Sequence, residues 1–151
     1  MVKFYLTKSV SQTRKLGQSF AEKILKQGLL RRAFVLGLVG GLGGGKTAFL
    51  QGFAKGLGIK ERILSPTFVI LKRFKIQGQG FRNFYHLDCY RIHKFKEISY
   101  LGWEKLVDDP TNIIAVEWAD KIKAKLPKKA LMLEFFFIDR NTRKIIKQNH
   151  R

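Results

Sequence analysis

A chain of 151 residues with 45% hydrophobic and 13% aromatic content is long enough for one packed domain and too short for two independent ones. Against 11 Asp and Glu stand 30 Lys and Arg, a formal net charge of +19 that points to anionic company, nucleic acid foremost. Cys89 is the single cysteine, which excludes an intramolecular disulfide, and no apolar run is long enough to cross a membrane, so a soluble, cytoplasmic protein is expected.

The opening residues, Met1 to Lys8, lack the apolar core of a signal peptide. From Ser11 to Lys26, the residues Leu16, Phe20, Ile24 and Leu25 recur on one helical face, with Ser11 suited to the N-cap and Gly28 to the stop. The short apolar run Ala33 to Val39 is expected as a strand buried on both faces. Directly after it comes Gly40-Gly41-Leu42-Gly43-Gly44-Gly45-Lys46-Thr47, a glycine, four residues, then Gly-Lys-Thr. A loop without side chains lets successive backbone N–H groups face a triphosphate, Lys46 supplies a mobile cation, and Thr47 a hydroxyl for Mg2+. Phe49, Leu50, Phe53, Ala54 and Leu57 then recur at helical spacing up to Gly58, which aims a helix N-terminus at the phosphates.

Farther on, Ile63 to Leu71 leads into the alternating basic stretch Lys72 to Ile76, and after the turn Gln77 to Gly80 a second run, Phe81 to Leu87, completes a hairpin. A helix between Phe95 and Leu106 is expected to break near Gly102-Trp103, with a turn at Asp109-Pro110. Asn112 to Trp118 reads as a buried strand that delivers Glu117 to its C-terminal end, the edge where ligands bind in open α/β sheets. Ala130 to Ile138 and Arg143 to Lys147 read as a last antiparallel pair.

Mg2+ needs more oxygen ligands than Thr47 alone, and Glu117 and Asp88, each ending an apolar run, are the candidate carboxylates. Ion pairs are the alternative, with Arg91 or a nearby lysine for Asp88 and a comparable salt bridge for Glu117. His86 and Cys89 lack zinc-like spacing, so a packed or hydrogen-bonded histidine and a structural cysteine are expected.

In order, the glycine loop, Ser65-Pro66-Thr67-Phe68, His86-Leu87-Asp88-Cys89-Tyr90-Arg91 and Glu117-Trp118 resemble the TsaE family, over most of the chain from the N-terminal helix to Leu126-Pro127. The resemblance implies an α/β fold of the P-loop type, a mainly parallel sheet flanked by helices with antiparallel hairpin additions, in one domain spanning 1–151. It further implies an ATPase, slow alone, that works with the TsaB and TsaD proteins in threonylcarbamoyl modification of adenosine 37 in tRNA without being the transferase. ATP and Mg2+ would be its cofactors. Lys46, Asp88 and Glu117 would be catalytic, with Thr47, Glu117 and Asp88 about the metal. Gly40 through Thr47, Ala48, Thr13 and Arg143 would surround the nucleotide, and Ser65 and Thr67 would form a switch that senses the γ-phosphate. Gly41 stands where the family usually has an acidic residue, and Gly44 where it usually has alanine. Arg91 can meet phosphate, a partner's carboxylate or Asp88, and Trp118 reads as an aromatic packed beside the site. Two other readings of the residues stay open. One is a basic nucleic-acid-binding module with weak or regulatory nucleotide binding, in which tRNA is touched directly; the other is a small nucleotide or metabolite kinase.

Overall fold

In the computed structural model, which describes residues 2–64, 70–78 and 80–149, the chain opens with β1 (Lys3–Thr7), α1 (Val10–Gln27), β2 (Phe34–Val39) and α2 (Lys46–Gly56). There follow β3 (Leu71–Lys75), β4 (Asn83–Asp88), α3 (Lys96–Ser99), α4 (Trp103–Asp108) and β5 (Asn112–Glu117). A 3₁₀ helix (Ala119–Lys125), β6 (Leu131–Phe137) and β7 (Arg143–Asn149) close the chain. The strands form one seven-stranded sheet in the order β1-β7-β6-β2-β5-β4-β3. Its four central strands run parallel, and β3, β7 and β1 add antiparallel at the sides, which is the expected α/β architecture.

The parallel centre is built from the continuous apolar runs. Every residue of β5 is buried, as are Val35, Leu36 and Leu38 of β2, because helices cover both faces. On one face α1 and α2 pack so closely that a Cβ on Gly17 would lie 2.0 Å from the Phe49 carbonyl oxygen, and one on Gly52 would lie 1.8 Å from that of Arg14. The two backbones touch through these glycines, and Phe20, Phe49 and Phe135 interlock beside them at ring distances of 5.4 and 5.5 Å. This packing fixes α2, and with it the helix end beneath the glycine loop. Trp103, Val107 and Ile122 fill the core on the opposite face.

Three features depart from the expectations. The N-cap of α1 is Ser9, not Ser11: Ser9 is extended and its Oγ accepts the Gln12 N–H at 3.0 Å, while Gln12 Oε1 accepts the Lys8 N–H at 2.7 Å. Ser9 thus caps α1 while Gln12 reaches back to Lys8, the residue before the cap, in a variant of the capping box that satisfies two backbone donors. Lys3–Thr7, read only as lacking a leader core, is a strand at the sheet edge, paired with β7. The 3₁₀ helix after Glu117 was not foreseen either; it buries Ala119 and Ile122.

Candidate functional site

The glycine loop leaves the C-terminal end of β2 and enters α2 at Lys46. Gly40, Gly43 and Gly45 have φ of 139°, 79° and 99°, a backbone that L side chains rarely adopt. Space is as restrictive as torsion at Gly40, where a Cβ would sit 2.5 Å from the Phe135 carbonyl oxygen. Gly40→Ala is therefore expected to cost about 2 kcal/mol or more, read as a lowered thermal midpoint. Gly41 faces open space, and Gly41→Glu is expected to change stability by less than about 0.5 kcal/mol in the same measurement.

Lys46 is buried at the first turn of α2. Its ammonium donates to the carbonyls of Gly40 and Gly41, and it lies 4.1 Å from the centre of the Trp118 indole. Burial lowers its proton affinity below the usual lysine value, against the opposing pull of Glu117, Asp88 and Asp120. Two of those carboxylates come from neighbouring strands. In the parallel pairing of β4 with β5, Asp88 lies opposite Glu117 at the C-terminal edge, and Glu117 is also registered with Leu38 of β2. Both therefore stand beside the root of the glycine loop, as Glu117's place at the end of an apolar strand led us to expect.

Glu117 is buried, and its Oε2 lies 2.6 Å from Nε2 of buried His86. An ionised carboxylate can only accept, so His86 donates from Nε2. The histidine is hydrogen-bonded, as expected, and Glu117's close partner is this imidazole. Asp88 accepts the Tyr90 N–H at 2.8 Å. Burial raises its proton affinity above the usual aspartate value, with the Tyr90 bond opposing. Among the described residues no ion pair joins Asp88 to Arg91, whose side chain is exposed. Cys89 is buried, which pushes its thiol up to about 12 and makes it inert. Among the described residues no group of three or more His, Cys, Asp or Glu is placed to hold a metal ion.

The family model described as threonylcarbamoyl adenosine biosynthesis protein TsaE matches residues 7–145. The chain belongs to the TsaE family. It is 32% identical over 117 residues to the tRNA threonylcarbamoyladenosine biosynthesis protein TsaE of Treponema pallidum, covering 78% of this chain and 83% of that one. With the protein of the same description from Rickettsia prowazekii it shares 36% identity over 132 residues, 87% of each chain. In structure it is similar to Bacillus subtilis YdiB, with a TM-score of 0.71 and 26% identity over 100% of this chain and 87% of that one. The family's place is in tRNA threonylcarbamoyladenosine biosynthesis.

Of the two departures from the TsaE pattern, Gly41 has room for a side chain, whereas a Cβ on Gly44 would lie 3.2 Å from Cβ of Phe135. Thr13 and Arg143, far apart in sequence, meet at the loop. A Cβ on Gly45 would touch Arg143 Cγ at 3.4 Å and Thr13 Cγ2 at 3.5 Å. Thr13 is buried, with its hydroxyl 2.7 Å from that of Thr7 and 3.2 Å from the Ser9 carbonyl. Thr7 is in turn registered with Arg143, so β1 ties both residues to the loop. Ser65 and Thr67 lie outside the described residues. Leu42 is exposed, and Thr47 and Ala48 are half-buried at the start of α2.

Two residues of this neighbourhood were missed or underread. Phe137, cross-strand partner of Arg143, has its ring 4.5 Å from the guanidinium and 4.0 Å from a Cβ position on Gly43. Only the hairpin register brings it there. Trp118 does pack, but against Lys46 and Tyr90, and from a left-handed backbone with φ 57° and ψ 42°. Such a conformation is costly for a bulky residue and turns the chain sharply after Glu117.

Proposed function

We propose that the protein is a magnesium-dependent ATPase that supports threonylcarbamoyl modification of adenosine 37 in tRNA, acting with TsaB and TsaD and not as the transferase. The observation that carries this reading is the convergence of Lys46 with the register-paired Asp88 and Glu117 at the root of a glycine loop that opens a helix. The loop N–H groups and the positive end of α2 suit a triphosphate, with Lys46 leaving the Gly40 and Gly41 carbonyls for the β- and γ-oxygens. A hard cation fits the donors present, all of them oxygens: the Thr47 hydroxyl, Glu117 and Asp88. Bound there, Mg2+ would neutralise charge on the transferring phosphate.

His86 positions Glu117 by its 2.6 Å bond. Asp88, opposite Glu117 in the strand register, is suited to orient the attacking water or to assist the metal. Thr13 and Arg143 flank the loop where the rest of the nucleotide would extend. Purified protein with ATP and Mg2+ is expected to release phosphate without any acceptor, slowly alone and faster with TsaB and TsaD. No binding of ATP under either condition would overturn the reading, and turnover that needs a small acceptor would favour a kinase.

Trp118 offers an optical check. Of the two tryptophans, Trp103 is buried in the core and Trp118 lies under the Lys46 ammonium. Movement of Lys46 from the indole to phosphate is expected to change the intrinsic fluorescence on ATP addition. Trp118→Phe should abolish that change.

A further inference from the structure

We propose that the face at the N-terminal ends of the parallel strands, opposite the glycine loop, is a binding groove for RNA phosphates. A groove of about 470 Å³ runs there between the C-terminal turns of α1, the start of β2 and the ends of β6 and β7. Its cations are Lys3, Lys23, Lys128, Lys129 and Lys147, and no carboxylate is among its described lining residues. A second groove of about 910 Å³ shares Phe34, Lys128, Lys129 and Ala130 with the first and adds Arg31, Arg32 and Lys125. Its one lining carboxylate is Glu104, and Asp108 pairs with Arg32 at 2.9 Å. The two grooves thus form one cationic track along the base of the sheet.

The charge here is not incidental scatter. Lys3 and Lys147 are direct cross-strand partners in the β1–β7 pairing, an arrangement that destabilises a sheet unless an anion lies between the ammonium groups. Lys128 and Lys129 sit side by side in the turn that Ala130 N–H closes on the Pro127 carbonyl, and both are exposed. All five cations of the first groove are lysines, point charges on flexible stems that can follow an irregular phosphate backbone. Half-buried Tyr5 and Phe34 give the floor apolar surface for sugar and base.

β2 spans the distance from this groove to the glycine loop, roughly 17 Å for its six residues. RNA on the track therefore leaves the nucleotide site free. The choice of RNA rests on the family's place in tRNA modification, and it does not depend on ATP turnover.

The test is binding of an unmodified tRNA, followed by fluorescence anisotropy across a salt series. The quadruple variant Lys23→Gln, Lys128→Gln, Lys129→Gln, Lys147→Gln is expected to lose about 3 from the log–log salt slope, and with it to bind about 10³-fold more weakly at about 0.1 M salt. A control with the same charge change elsewhere, Lys60→Gln, Lys72→Gln, Lys75→Gln, Lys96→Gln, is expected to keep the parent slope within about 1. Lys46→Ala is expected to keep RNA affinity, which separates this inference from the ATPase reading. Absence of RNA binding by the parent protein, or equal losses in both quadruple variants, would overturn it. So would a groove variant that keeps RNA binding but no longer associates with TsaB or TsaD, since the track would then serve an acidic protein surface.

Discussion

Lys46→Ala is expected to abolish detectable ATP binding, weakening affinity by on the order of 100-fold or more, the scale of removing a charge-assisted hydrogen bond to phosphate in a water-poor site. Isothermal titration with ATP and Mg2+ reads this directly. The same substitution should not harm the fold. Burial lowers the Lys46 pKa, so the folded state binds this proton less tightly than the unfolded chain does. A lowered lysine pKa means that the charged form opposes folding; the cost is complete below the folded value and disappears as pH rises through it towards 10.5. Wherever the side chain carries its proton in the folded state, removing the ammonium removes that cost. Lys46→Met, which keeps the stem, is expected to leave the thermal midpoint at or above that of the parent protein. A large fall would mean that the interactions with Gly40, Gly41 and Trp118 hold the loop together, and Lys46 would then be structural.

Glu117 should behave in the opposite way, because its partner is buried with it. Glu117→Ala leaves His86 Nε2 without its acceptor at a site only 4% exposed. The expected cost is about 3 kcal/mol, or roughly 6–12 °C in thermal midpoint for a chain of this size. Glu117→Gln keeps a carbonyl oxygen for the imidazole and loses the charge, so its midpoint should fall by much less. Both variants are expected to raise the Mg2+ concentration required for phosphate release. The pair separates the two roles: a Gln variant that is stable yet needs more Mg2+ places the carboxylate at the metal. A Gln variant with an unchanged Mg2+ titration would leave Glu117 as a positioning partner of His86.

Asp88 and Glu117 illustrate how much of the site could be read from the chain. Each ends an apolar strand, and a carboxylate at the C-terminal edge of a parallel sheet is a recognisable pattern. Their mutual register was not readable, since the pairing of β4 with β5 is a choice among several strands and no local signal in either names its partner. The same register decides the His86–Glu117 bond: His86 shares a face of β4 with Asp88, and Glu117 is two residues beyond Ala115, the strand partner of His86.

Local order was thus written in the sequence. The glycine loop, the apolar periodicity of the helix beneath it, the break at Gly102 and the carboxylates at the strand ends follow from side-chain size, backbone freedom and the two periods of 3.6 and 2. The resemblance of four ordered motifs to TsaE was legible for the same reason. Tertiary structure alone decided what lies beside the loop. β1 could not be recognised as a strand without β7 to pair with, and it is β1 that sets Thr7, Thr13 and Arg143 around Gly45. Trp118 meets Lys46 because the backbone turns left-handed after Glu117. The lysines of the opposite face come from β1, α1, β7 and the turn before β6, and their charge becomes a track only when the sheet order brings those strands together. Proximity between residues so distant in sequence is set by the packing of whole elements, and no local propensity encodes it.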